Sequence, residues 1–231
     1  MNAGALPRWT APGPEVARPE DGAVHLWEIQ ESPDYADTLP PPERARHDGI
    51  SCPATRIGYA SSQGGLRRIV AAYLRCPAEN LGLGRREHGK PFVAGGPEFN
   101  LSHTAGRILA VFSREDVGLD IESVSRKVNA IALARKFFFE HECAALVALE
   151  PAARNAAFLR YWVCKEATVK LSGDGIFRGL RDAGVKLSDG EFSHGDYRGR
   201  RVWIREIRPA PDLLGAIASW KPFSVKGFFR V

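Results

Sequence analysis

From Pro151 to Leu171 the chain runs without a glycine or an internal proline. Leu159, Val163, Ala167 and Leu171 recur at every fourth residue, and Gly173 and Gly175 stop the run. That spacing predicts one long helix with an apolar stripe, which must be buried against another element. Beyond Gly175 the period changes: Val185–Leu187, Val202–Ile207 and Ala216–Trp220 read as strands. A long helix succeeded by hairpin-like strands argues for an α+β fold. At 231 residues and 44% hydrophobic content the chain can bury a sizeable core, as one large domain or two small ones. Disorder and fibrous folds are excluded. The longest uncharged apolar stretch near the end, Leu213–Trp220, is strand-sized, far short of the ~20 residues a membrane span needs.

The first half carries the same mixture. Residues 1–22 hold Pro7, Pro12, Pro14 and Pro19 and read as an extended, poorly fixed arm. Ala23–Ile29 reads as a strand partly buried on both faces. Pro40-Pro41-Pro42 opens a helical segment from Glu43. Leu66–Leu74 has helical spacing, its start weakened by Gly64 and Gly65. Glu98–Ser102, Ile108–Ser113 and Val117–Ile121 read as strands, and Val128–Phe139 and Glu142–Glu150 as helices.

Four places could carry chemistry. In Gly118-Leu119-Asp120-Ile121-Glu122, strand geometry sends Asp120 and Glu122 to one face and Leu119 and Ile121 to the other. Two carboxylates so close suit a divalent cation such as Mg²⁺, or else a solvated strand face. On the helix, Phe158, Trp162, Glu166 and Lys170 form a second stripe. Glu166 and Lys170 read either as an ordinary ion pair or as a metal carboxylate beside a phosphate-binding cation, with Lys165 as a further anion anchor. Ser102 and His103 end a strand and suit phosphate oxygens, but neighbours on a strand point apart, so they are no nucleophile–base pair. Lys90, in Gly89-Lys90-Pro91, lacks the spacing of a P-loop.

Lys and Arg number 32 against 27 Asp and Glu, a net charge of +5. The excess suits an anionic partner, or is plain surface charge. No helix shows an Arg/Lys stripe, so nucleic acid is not expected. Cys52, Cys76, Cys143 and Cys164 form no CxxC pair and read as reduced thiols of a cytoplasmic protein without a signal peptide.

The ordered set Gly89–Pro91, Phe99–His103 (FNLSH), Val117–Glu122 (VGLDIE) and Trp162–Lys170 (WVCKEATVK) resembles the Sfp-type 4′-phosphopantetheinyl transferases. Arg135–Glu142 (RKFFFEHE) fits the same pattern. The resemblance spans roughly residues 24–220. It implies two similar α+β halves related by a pseudo-twofold, 23–116 and 117–231, with the active site at their interface and a chain that works as a monomer. It implies transfer of 4′-phosphopantetheine from coenzyme A to a serine of an apo acyl or peptidyl carrier protein. Asp120, Glu122 and Glu166 would then hold Mg²⁺, with Glu166 also the base and Lys170 the pyrophosphate lysine. Lys90, Ser102, His103 and Lys165 would lie along coenzyme A, and Trp162 would pack the helix beside the site. One departure stands out. The family's nucleotide-binding arginine falls at Gly58 here, which leaves Arg56, or Arg44 and Arg46 upstream, as substitutes.

Overall fold

Strand β1 (Ala23–Ile29) is buried on both faces: Trp27 and Ile29 pack with the 66–74 helix on one side, and Val24 and Leu26 with residues of the second sheet on the other. The structure, a computed structural model, describes residues 6–13, 16–175, 179–188 and 191–231. After β1 come α1 (Pro41–Asp48), α2 (Pro53–Ala60) and α3 (Leu66–Leu74). Gly64 and Gly65 do not begin α3. They lie in a wider π-turn, Ser61–Gly65, that joins α2 to α3 without a break. A Cβ on Gly64 would stand 2.1 Å from the Tyr35 carbonyl oxygen, so the glycine permits a close approach. A short hairpin of β2 (Leu83–Arg85) and β3 (Pro91–Val93) leads into β4 (Glu98–Thr104) and β5 (Arg107–Ser113).

The second half opens with β6 (Val117–Ser123), then α4 (Ala130–Phe137), α5 (Glu140–Val147) and the long α6 (Pro151–Ser172). Pro151 occupies its first turn, and Gly173 ends it with φ +79°. Strands β7 (Ala183–Ser188), β8 (Glu191–Tyr197), β9 (Arg200–Ile207), β10 (Leu213–Ser219) and β11 (Ser224–Arg230) complete the chain. Strands β8 and β11 were not expected. Glycine and polar residues break the alternation of β8, and β11 mixes Lys226 and Gly227 with Phe228 and Phe229.

Besides the β2–β3 hairpin, the described strands form two larger sheets, ordered β11-β1-β5-β4 and β6-β10-β9-β8-β7. Division near Asp116 separates them except for β11, which returns to pair parallel with β1. Part of the described arm is held to β11. Thr10 N–H donates to the Phe228 carbonyl at 3.0 Å, Arg230 N–H donates to the Thr10 carbonyl at 2.9 Å, and Trp9 meets Phe228 edge-on. Residues 1–5 and 14–15 of the expected arm lie outside the described residues.

The layers run helix, sheet, sheet, helix. Trp27, Phe99 and Phe112 pack on Ile69, Val70 and Tyr73 of α3. Val24, Leu26, Leu109 and Val111 meet Leu119, Ile121 and Ile217 between the sheets. Leu159, Val163 and Ala167 of α6 pack on Val202, Ile204 and Ala216. Each fully buried Leu or Val of that stripe contributes about 1.5–3 kcal/mol. The sheets also meet edge to edge, where β4 runs beside β6.

Candidate functional site

Along that edge, side chains replace the backbone ladder. Asn100 Oδ1 accepts from the Leu119 N–H at 3.2 Å, and Ser102 Oγ accepts from the Ile121 N–H at 3.3 Å. Strand parity puts Asn100, Ser102 and Thr104 on the seam and turns His103 away from it. Opposite them, Asp120 and Glu122 share one face of β6, while Leu119 and Ile121 enter the core between the sheets. Helix α6 lies directly on this strand. A Cβ on Gly118 would stand 2.0 Å from the Ala167 carbonyl oxygen and 2.6 Å from Leu171 N, so only glycine lets α6 come this near. The closeness brings the Glu166–Lys170 turn of α6 over Asp120.

Lys170 Nζ lies 2.6 Å from Asp120 Oδ1 and donates to Ser102 Oγ at 3.1 Å. Ser102 in turn donates to Asp120 Oδ1 at 2.9 Å. Glu122 Oε2 accepts from Thr104 at 3.3 Å, and Oε1 pairs with Arg126, whose guanidinium lies over the Trp162 ring. The Glu166 carboxyl is pushed up to about 7, first by burial and then by the charge of Asp120. The charges of Lys170 and Arg126 pull the other way.

This donor set fits a divalent cation. Asp120 Oδ2 is buried with no hydrogen-bond partner, and Glu122 and Glu166 offer further hard oxygens. In this arrangement Lys170 and Arg126 neutralise Asp120 and Glu122 instead. Among the described residues no three His, Cys, Asp or Glu side chains are gathered into a ready metal cage.

Several expected contacts fall elsewhere. Lys165 is not at the surface of the site. Its ammonium is fully buried, bonded to Glu142 Oε2 at 2.7 Å and to the Ala183 carbonyl, over the Phe138 and Phe139 rings. Burial pulls it below the usual lysine range, and Glu142 opposes that. One helix position is about 100° of rotation, which turns Lys165 into the core while Glu166 faces the seam. Ser102 is buried in the seam rather than offered to a nucleotide. Lys90 is also buried, its Nζ 2.9 Å from Asp116 Oδ1 and 3.2 Å from the Leu171 carbonyl, so it ties the β2–β3 hairpin to the end of α6. It borders a groove of ≈ 170 Å³ that Lys170 and Asn100 also line.

His103 faces a different and larger cavity of ≈ 690 Å³. Gly58 opens onto it, and Arg46, Arg85 and Arg107 supply its cations. Arg56 does not line it. Its Nε donates to the Ile50 carbonyl at 2.8 Å. Arg44 pairs with Asp37. Sequence reasoning missed Asn100, Thr104 and Arg126. Alternation from Ser102 would have placed Asn100 and Thr104 on the seam, and Arg126 stands four residues after Glu122. Arg85 and Arg107 gave no signal, because they reach the cavity from two separate strands, at the end of β2 and the start of β5.

Comparison with known proteins agrees with the motif order. A family model described as the 4′-phosphopantetheinyl transferase superfamily matches residues 116–208, which hold Asp120, Glu122, Glu166 and Lys170. The 4′-phosphopantetheinyl transferase HetI of Nostoc sp. is 31% identical over 86% of this chain and 90% of its own length. The 4′-phosphopantetheinyl transferase AcpT of Salmonella typhimurium is 44% identical over 46% of this chain and 56% of its own. The 4′-phosphopantetheinyl transferase Sfp of Bacillus subtilis is 27% identical over 55% of this chain and 58% of its own. With the α+β halves meeting at an acid–lysine seam, and a relative aligned along nearly its whole length, the chain belongs to the 4′-phosphopantetheinyl transferase superfamily.

Proposed function

We propose that this transferase works at the β4–β6 seam, moving 4′-phosphopantetheine from coenzyme A to a serine of an apo acyl or peptidyl carrier protein. The observation that carries the reading is the buried, unpartnered Asp120 Oδ2 beside Lys170 and the raised carboxyl of Glu166. A buried polar atom without a partner is costly, and a bound group at this point would satisfy it.

Asp120, Glu122 and Glu166 are the residues that would hold Mg²⁺. When bound, the ion would polarise the pyrophosphate of coenzyme A as a Lewis acid. Glu166 takes the proton of the attacking serine hydroxyl, directly or through one water. Lys170, one helical turn on, balances charge on the phosphate that transfers or leaves. Ser102 holds Lys170 and Asp120 in register. The attacking hydroxyl belongs to the carrier, so this chain needs no nucleophile of its own. Adenosine 3′,5′-bisphosphate leaves.

The positive charge of the chain complements coenzyme A and an acidic carrier and would speed their encounter. Among the described residues no helix is long and apolar enough to cross a membrane. The test is intact-protein mass spectrometry of an apo carrier protein incubated with this chain, coenzyme A and Mg²⁺. The expected result is a Mg²⁺-dependent gain of one phosphopantetheine on the carrier serine. Absence of that gain across several carrier classes, together with no coenzyme A binding, would overturn the reading.

A further inference from the structure

Lys165 and Glu142 form an ion pair with both side chains fully buried. Such a pair is a poor source of stability, because desolvating two charges offsets their attraction, and apolar replacements are often as stable. Here both Glu142 oxygens and the Lys165 ammonium have partners. Glu142 Oε2 accepts from Lys165 and from the Phe139 N–H at 2.9 Å, and Oε1 accepts from the Val185 N–H at 2.9 Å. Lys165 also donates to the Ala183 carbonyl and faces the Phe138 and Phe139 rings. The pair therefore joins the α4–α5 corner, strand β7 and helix α6 at one point.

We propose that Lys165 and Glu142 are positioning residues that fix the rotation of α6, so that Glu166 and Lys170 face Asp120. The Gly118–Ala167 approach sets how deep α6 sits on β6, and the buried Leu159–Val163–Ala167 stripe sets which broad side of the helix faces the core. A buried ammonium resists rotation about the helix axis, because any turn that withdraws Lys165 from Glu142 and Ala183 leaves charges unpaired in the core. Glu166 is the next residue along, so its direction is slaved to that of Lys165. An apolar pair of similar size would keep the core filled and release the rotational constraint.

The inference rests on the seam being the active site, so the experiment separates the two. Carrier loading is measured under Mg²⁺ with steady-state kinetics for wild type, Lys165→Met/Glu142→Leu and Glu142→Gln, each with a thermal melt. The double variant removes the partners of the Phe139 and Val185 N–H groups and of the Ala183 carbonyl, so it is expected to melt below wild type; assayed below its own Tm, its kcat is expected to fall about 100-fold, as for a misplaced catalytic group. KM for coenzyme A should move less than about threefold, since neither side chain touches substrate. A folded double variant with wild-type kcat, or one with raised KM and normal kcat, overturns the proposal. Should the double variant fail to fold, Glu142→Gln decides. The amide keeps the shape but only one acceptor oxygen, so it serves either the Val185 or the Phe139 N–H, and it loses the charge that holds Lys165; normal kcat in it likewise overturns the proposal. A wild-type chain that loads no carrier would instead count against the seam as the active site.

Discussion

Gly118→Ala tests how closely the site depends on the packing beneath it. The added methyl would lie 2.0 Å from the Ala167 carbonyl oxygen, 2.6 Å from Leu171 N and 3.0 Å from Ala167 C. Ordinary contact is about 3.5 Å. The colliding atoms are helix backbone, which cannot turn aside as a side chain does, so α6 must lift from β6 by about 1–1.5 Å. Overpacking of this kind costs roughly 1–3 kcal/mol, or about 2–12 °C in Tm for a chain of this size. The larger effect falls on chemistry. Lys170 sits 2.6 Å from Asp120 Oδ1, and a lift of about 1 Å breaks that contact. Misplacement on this scale costs about 100-fold in rate. The assay pairs a melt monitored by circular dichroism with carrier loading read by intact mass, below the variant's Tm. Wild-type turnover with unchanged Tm would refute the argument that close α6–β6 contact builds the site. Lost stability with full turnover would show that Glu166 and Lys170 do not depend on it.

Asp120→Asn keeps an acceptor for Ser102 and Lys170 but loses the charge, and carrier loading should fall at least about 100-fold with folding intact; near-normal loading would remove Asp120 from the metal set. Lys170→Ala should depress kcat more than coenzyme A affinity measured by calorimetry, and the reverse pattern would make it a binding lysine only. Lys90→Ala leaves Asp116 and the Leu171 carbonyl without their buried partner and should cost about 1–3 kcal/mol in denaturant unfolding; an unchanged midpoint would show that the tie to α6 carries no stability. The raised Glu166 carboxyl gives a signed pH effect in metal-free buffer. The folded chain keeps this proton up to about 7 and the unfolded chain loses it near 4.5, so stability falls as pH rises between those values. Glu166→Gln removes the effect and should melt above wild type at about pH 8 but not at about pH 4.5; equal melting differences at both would sink the assignment.

Much of this site is written in local periodicity. The four-residue recurrence from Leu159 to Leu171 and the stops at Gly173 and Gly175 give α6 almost to the residue. Strand parity puts Asp120 and Glu122 together, and the same parity separates Ser102 from His103. The FNLSH and VGLDIE segments were legible as strands, but not as neighbours. Their adjacency depends on Asn100 and Ser102 capping the backbone of β6, a pairing no spacing within either segment reveals.

The sequence by itself determined which residues share a face, because that follows from the 3.6- and two-residue repeats of the backbone. It also determined the family, because motif order survives where structure is not seen. Only the tertiary structure decided which charges face water. Lys165 and Lys170 lie on one helix five positions apart, yet one closes a core ion pair and the other meets Asp120. The partners that settle this come from Glu142, Ala183 and Ser102, on other elements. The same holds for β11, whose place beside β1 joins the two ends of the chain. A helix repeat fixes direction around an axis, but burial is a property of what the rest of the chain brings to that direction.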